Sequence, residues 1–237
     1  MSGVNSFETV SQTMARTGRA AALGGRAQVS GLAALRPAIK RGFDVLAAGA
    51  LLLTLLPLFL VLALFIRRDG GSVLFAHRRI GLDGREFGCL KFRSMVADSD
   101  HRLALLLESD PAVRQEWEAT RKLKNDPRVT RIGRLLRASS LDELPQIINV
   151  LRGEMSLVGP RPVLATELAM YYGAAAEHYF SVRPGITGLW QVSGRSNTSY
   201  AERVALDVAY ATQPSLLQDV RILVRTPMVV LKRRGAY

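Results

Sequence analysis

The chain is poor in the residues that build metal and redox centres: its 237 residues include one cysteine, Cys89, and three scattered histidines, His77, His101 and His178. A lone cysteine excludes an internal disulfide framework and a multi-cysteine zinc site. Cys89 itself lies in the string Phe87-Gly-Cys-Leu-Lys-Phe92 and reads as a small buried core residue rather than a nucleophile. No Gly-x-Gly-x-x-Gly follows a strand and no Gly-Lys-Ser/Thr loop occurs, which removes support for dinucleotide-fold and P-loop mechanisms. Aromatic residues make up only 7% and do not interleave regularly with the basic clusters, so no nucleic-acid partner is expected. Internal repeats are absent. Acidic residues are also scarce, 20 against 32 lysines and arginines, and the net charge of +12 implies attraction to an anion such as phospholipid or a phosphorylated substrate.

Between Val45 and Ile66 there is no charge at all, with Lys40 and Arg41 before the run and Arg67 and Arg68 after it. About 20 apolar residues suffice to span the hydrocarbon core as a helix. A spanning helix normally leaves more Lys and Arg on its cytoplasmic side, and here neither flank is richer. Pro57 removes the amide that would bond to the carbonyl of Leu53, which predicts a bend near the centre. Two half-helices could then return to the same face of the bilayer, with the Thr54 hydroxyl satisfying a freed carbonyl. A kinked spanning helix is the alternative; a cleaved signal peptide fits poorly, because the run starts late and no small-residue cleavage site follows it.

Three segments follow: a flexible basic tail over 1–36, bounded by the Arg36-Pro37 step, a membrane helix over 37–69, and one compact domain over 70–237. In that domain, Ser72 to Ala76 and Glu86 to Phe92 predict a hairpin around Gly81-Leu-Asp-Gly84, which gathers Arg78, Arg79, Arg85, Lys91 and Arg93 next to the membrane element. Helical spacing runs from Ser99 to Lys124, interrupted at Asp110-Pro111. A basic helix follows from Thr130, with Arg131, Arg134 and Arg137 forming a stripe suited to headgroups or to solvent. A helix over 141–152 is predicted, with Ser140 and Glu143 in capping-box spacing. Another is expected from Tyr200 to Tyr210, pairing Arg203 with Asp207, and an amphipathic one from Leu216 to Leu231, leading into Lys232, Arg233 and Arg234. Tyr171 and Tyr172 read as packing residues.

Asp142 and Glu143 stand side by side near a predicted helix start, with Arg137 upstream and Arg161 downstream in the turn Gly159-Pro-Arg-Pro162. Adjacent helical residues diverge by about 100°, so the two carboxylates would address neighbouring atoms rather than share a proton. A carboxylate at a helix N-terminus stays ionised and available as nucleophile or metal ligand, and nearby arginines suit phosphate oxygens. By itself an Asp-Glu pair is a weak signal, and surface capping is its commoner explanation.

Ser140-Leu-Asp-Glu-Leu-Pro-Gln146, Met155-Ser-Leu-Val-Gly-Pro-Arg-Pro162 and Arg183-Pro-Gly-Ile-Thr-Gly-Leu-Trp-Gln-Val-Ser-Gly-Arg195 occur in that order, with Lys40-Arg-Gly-Phe-Asp44 and Lys91-Phe-Arg-Ser-Met95 ahead of them. In these motifs the chain, from about residue 38 onward, resembles the bacterial sugar transferases, the monotopic polyprenyl-phosphate phosphoglycosyl transferases, in their short form without an additional N-terminal transmembrane bundle. The resemblance implies an α/β cytoplasmic domain with a re-entrant membrane helix and amphipathic interface helices, at the cytoplasmic face of the bacterial inner membrane. It implies transfer of a sugar 1-phosphate from a UDP-sugar to polyprenyl phosphate, with release of UMP and use of Mg²⁺. Carried onto this sequence, Asp142 is the nucleophile and metal ligand, and Glu143 deprotonates or orients the lipid phosphate. Arg137, Arg161 and Arg93 are phosphate contacts. Pro160, Pro162, Pro184, Gly185, Trp190, Gln191 and Arg195 shape the nucleotide-sugar pocket. A UDP-hexose, glucose or galactose, is the expected donor, inner-membrane lipid a partner, and a homo-oligomer compatible with the pattern. The family breaks its membrane helix at a Ser-Pro pair, whereas Leu56 precedes Pro57 here. Apart from the resemblance, Trp190 reads as a packing residue sooner than a stacking one, and a non-catalytic basic membrane scaffold that recruits an anionic partner stands as the alternative.

Overall fold

A computed structural model of the chain describes residues 31–68, 70–120, 123–194 and 198–231. The proposed tail up to residue 30, Arg195 and the basic cluster at 232–234 lie outside the described residues.

Helix α1, Gly31–Arg67, begins before the Arg36-Pro37 step and runs as one element through both Pro37 and Pro57. The bend expected at Pro57 therefore does not divide it into two helices. Thr54 also departs from expectation: its hydroxyl donates to the carbonyl of Ala50 at 2.9 Å, not to the carbonyl of Leu53 that Pro57 leaves open. The reason is local, since a threonine in a helix reaches most easily to the carbonyl four residues back. Among the described residues, Leu35–Arg67 is the one helix long and apolar enough to cross a membrane.

One side of α1 packs on the rest of the chain and the other is bare. Ala48, Leu62 and Ile66 are buried, whereas Leu46, Leu53, Leu60 and Leu64 are exposed. Both ends are tied to the same folded unit. At the start, Arg41 donates to the carbonyls of Val150 and Leu151, and Lys40 bridges Asp44 and Asp219. At the far end, Arg93 donates to the carbonyl of Ile66 at 2.9 Å, and Leu62 and Ile66 pack with Phe92 and Leu136.

The predicted hairpin forms, with strands β1, Leu74–Ile80, and β2, Glu86–Phe92, paired antiparallel. Strand β1 starts later than expected and takes in Arg78 and Arg79, which alternate to opposite faces instead of sharing one basic surface. The tight turn places Asp83 and Gly84 at positive φ. Helices α2, Ser99–Ser109, and α3, Pro111–Thr120, break at Asp110, whose carboxylate accepts from the amides of Ala112 and Val113.

Helix α4, Arg131–Ser139, is capped by the Thr130 hydroxyl and closed by Ser140, which has a left-handed φ of 58°. A short 3₁₀ turn, Leu141–Glu143, precedes α5, Gln146–Arg152. The capping box expected at Ser140 and Glu143 is absent, because a serine that terminates the preceding helix in αL cannot also adopt the extended backbone of an N-cap. Strands β3, Ser156–Val158, and β4, Gly185–Thr187, form a parallel pair. Helices α6, Ala165–Glu167, α7, Ala176–Phe180, α8, Leu189–Ser193, α9, Tyr200–Thr212, and α10, Leu216–Leu231, complete the described fold. The result is a mixed helix and sheet architecture whose described strands form two separate pairs. Its main core gathers Ile147 and Val150 of α5, Met155, Leu157 and Val158 around β3, Cys89 of β2, Tyr210 of α9, Ile222 of α10 and Ala48 of α1. Helix α5 thus stands at the centre, and the residues that lead into it are held by everything packed around it.

Candidate active site

Three close approaches assemble the acidic turn and its basic neighbours. Gly133 of α4 lies against the backbone of Ser94, where a Cβ would come within 2.0 Å of the Ser94 carbonyl oxygen. Only glycine lets α4 sit that close, and this brings the Nε of Arg137 to the Ser94 hydroxyl at 2.9 Å. The basic stripe therefore splits: Arg137 turns inward to Ser94, while Arg134 donates to the carbonyl of Val129. Gly159 and Gly185 meet across β3 and β4, with a Cβ on Gly185 only 2.1 Å from the Gly159 nitrogen. That contact, together with the bond from the Gly185 amide to the carbonyl of Pro160, fixes the turn that presents Arg161. The third approach is β2 against the 3₁₀ turn, which carries Lys91 to the two carboxylates.

Lys91 lies 2.8 Å from Glu143 and 3.7 Å from Asp142, and Arg161 donates to the same Glu143 oxygen at 3.2 Å. Two cations thus converge on one Glu143 oxygen, Oε1, while Asp142 has only the longer lysine contact. The electrostatics diverge accordingly. Burial pushes the Asp142 carboxyl above its ordinary range against the opposing fields of Lys91, Arg137 and Arg161. Burial acts on Glu143 in the same direction, but Arg161 and Lys91 overcome it and hold the carboxyl at about 2. Side by side stand one carboxylate pinned by two cations and one held only by a longer lysine contact.

The structure brings Asp142, Glu143, Arg161 and Arg137 together and leaves Arg93 apart, buried against the end of α1. Pro160, Pro184 and Gly185 serve the β3–β4 junction that supports Arg161, with the Ser156 amide bonded to the carbonyl of Pro184. Pro162 lies between Arg161 and the buried Val163. Trp190 donates to Thr198 and lies under the guanidinium of Arg203, 4.6 Å from its ring centroid, which is a packing arrangement. Gln191 is buried with both amide atoms unpaired among the described residues. A cavity of about 450 Å³ lies at the opposite end of α5, lined by Lys40, Asp44, Tyr210 and Asp219 and by none of the acidic turn's groups.

Lys91, placed by the sequence only among the basic residues of the hairpin, is the residue not expected beside Asp142 and Glu143. A signal for it existed: Phe87, Cys89 and Lys91 alternate, so a lysine two residues from a buried cysteine shares its inward face. Cys89 is buried as expected, and burial drives its thiol up to about 11, which suits packing and not nucleophilic attack.

Comparison with known proteins supplies the family. The bacterial sugar transferase model matches residues 35–233. A UDP-galactose-lipid carrier transferase of Erwinia amylovora is 53% identical over 199 residues, 84% of this chain and 42% of that protein. The exopolysaccharide production protein ExoY of Sinorhizobium fredii is also 53% identical, over 84% of this chain and 88% of its own length. A UDP-glucose:undecaprenyl-phosphate glucose-1-phosphate transferase of Caulobacter vibrioides is 43% identical over 84% of this chain and 72% of its own. The chain spans less than half of the Erwinia relative and most of the other two. Its acidic turn, with Lys91 and Arg161 closing on it, sits inside the matched region, and the chain belongs to the bacterial sugar transferase family.

Proposed function

We propose that the protein transfers a hexose 1-phosphate from a UDP-hexose, glucose or galactose, to undecaprenyl phosphate as an initiating step of exopolysaccharide synthesis. The observation that carries this reading is the unequal pair: Asp142 keeps a carboxylate of raised basicity beside Lys91, while Glu143 is consumed by Lys91 and Arg161. An Asp142 oxygen attacks the β-phosphorus, a P–O bond forms, and the bond to the UMP oxygen breaks, so UMP leaves with that electron pair. An oxygen of the lipid phosphate then attacks the same phosphorus, and the Asp142 carboxylate is the leaving group. Arg137, Arg161 and Lys91 neutralise charge as it shifts between phosphoryl oxygens. A carboxyl held at about 2 is a weak base near neutral pH, so the part left to Glu143 is to orient Lys91 and Arg161.

Mg²⁺ fits this donor set. Among the described residues no group of three or more acidic, histidine or cysteine ligands occurs, and Mg²⁺ characteristically takes one or two carboxylates together with substrate phosphates and water. Asp142, whose closest cation is 3.7 Å away, would hold it, and the ion would supply Lewis-acid neutralisation of the phosphates.

Attachment of both ends of α1 to one folded unit supports a monotopic, re-entrant placement at the cytoplasmic face of the inner membrane. A helix crossing the bilayer would put its ends on opposite sides, yet Lys40 contacts Asp219 and Ile66 contacts Arg93 within one body. The exposed leucines of α1 then face lipid, and the acidic turn sits where a lipid phosphate can meet a soluble nucleotide sugar. Rapid acid quenching of the protein with UDP-glucose or UDP-galactose, followed by intact mass measurement, should trap a sugar phosphate on the wild-type chain and none on Asp142→Asn. UMP release by direct displacement, with the polypeptide never modified, would overturn the reading.

A further inference from the structure

The pairing register places Phe75, His77 and Arg79 of β1 on the same face as Lys91, Cys89 and Phe87 of β2, with His77 directly opposite Cys89. This is the face that closes on the acidic turn. His77 therefore stands diagonally from Lys91, a separation of about 7–8 Å on a sheet, which a hexose ring can bridge. The imidazole is half-buried, and Arg79 reaches its Nδ1 with a long contact of 3.4 Å. A guanidinium has only donors, so Nδ1 must accept and the ring proton belongs on Nε2. Arg79 is in turn held 3.6 Å from Glu167, which also accepts from the Tyr200 hydroxyl. A chain of half-buried groups thus turns Nδ1 of one histidine beside the reaction centre toward a donor, and among the described residues nothing accepts from its Nε2–H.

The ring is also kept neutral. Burial, Arg79 and Lys91 lower its pKa below the usual 6.5, with Glu167 opposing them. Cys89 across the strand is protonated at neutral pH, and Glu143 and Arg161 complete the charged groups around that thiol. A phosphate clamp would call for a cation, and Lys91, Arg137 and Arg161 already provide three. A neutral ring with one oriented donor suits an uncharged acceptor instead.

Building on the phosphoglycosyl transfer proposed above, we infer that His77 is a substrate-binding residue whose Nε2–H donates to a hydroxyl oxygen of the hexose. It holds the sugar while phosphorus passes to Asp142. The test compares wild type, His77→Leu and His77→Gln in UMP release, varying the UDP-hexose and the polyprenyl phosphate separately. Leucine should lower kcat/KM for UDP-hexose by about tenfold to a hundredfold and leave the KM for the lipid phosphate unchanged. Glutamine, whose amide can reach the Nε2 position, should restore most of that loss. Inhibition by UMP, which lacks the sugar, should be equal in all three proteins. Unchanged kcat/KM in His77→Leu, or UMP inhibition weakened by the same factor as turnover, sinks the inference and leaves the transfer reaction standing. Absence of UMP release from wild type with any UDP-sugar removes the underlying reaction instead.

Discussion

Lys40 and Lys91 each stand between two carboxylates, at opposite ends of α5, and the two clusters behave differently because of what else the carboxylates touch. Lys40 lies 2.8 Å from Asp44 and 3.1 Å from Asp219. Asp44 also accepts from the Leu157 amide, and Asp219 from the Tyr210 hydroxyl, so both acids are shut away and provided with donors. Around Lys91 the same charges are shared unequally: Glu143 takes the short contact and the arginine, while Asp142 is left 3.7 Å away. Symmetric satisfaction makes a staple between α1, β3 and α10. Unequal satisfaction leaves a carboxylate with unused lone pairs in a field of cations, the condition a nucleophile needs.

The largest expected effect separates the clusters by readout. Asp142→Asn should lower UMP release at least about a thousandfold while the thermal midpoint holds or rises, since a desolvated charge is removed. Lys40→Met should do the reverse. Leaving Asp44 and Asp219 buried without their cation is expected to cost about 3–5 kcal/mol of stability, measured by denaturant unfolding in detergent. Any protein that survives folding should turn over normally. If Lys40→Met abolishes catalysis without a loss of stability, the distinction between staple and site fails.

These two clusters also mark where the sequence was readable. The hairpin was, because Gly81 to Gly84 and the flanking alternation act within a few residues. So was the break at Asp110-Pro111, where proline and a capping carboxylate are adjacent. Asp142, Glu143 and Arg161 were singled out through their motifs, and the structure brings them together. The alternation of β2 turns Lys91 inward, but its partner lies 52 residues away, and no local pattern names that partner. The arrangement at Ser140 was misread because a capping-box spacing is silent about the backbone φ of its first residue. Arg93, expected as a phosphate contact from its motif, lies at the end of α1 with one nitrogen on the carbonyl of Ile66 and the other two buried without a partner among the described residues.

Intermediate effects sharpen the contrast. Lys91→Met should cost about a hundredfold to a thousandfold in turnover, the range for removing one donor that stabilises developing charge. Tyr210→Phe, in the other cluster, should leave turnover intact and cost about 1–3 kcal/mol, because it removes the one hydroxyl proton that buried Asp219 and the carbonyl of Val158 share. Reduced turnover in Tyr210→Phe that tracks substrate binding rather than stability would connect the two ends of α5 and break the comparison.

The smallest effect is a difference in the sign of acid response. Glu143 has a folded pKa depressed to about 2, below the ordinary glutamate value of 4.5. Its contribution to stability is therefore complete above the unfolded value and is lost as pH falls through that window. Asp219 is displaced upward, by burial against the pull of Lys40 and Tyr210, so the folded state holds its proton more tightly than the unfolded chain does. Lowering the pH through that range relieves the cost of its charge. Unfolding free energies of wild type, Glu143→Gln and Asp219→Asn taken between neutral pH and pH 3 should then diverge in opposite directions, each by no more than about 1.4 kcal/mol per pH unit. Parallel slopes for the two variants would mean that the carboxylates share one environment, and that the openness of Asp142 has to be explained by something other than how unevenly its cluster is satisfied.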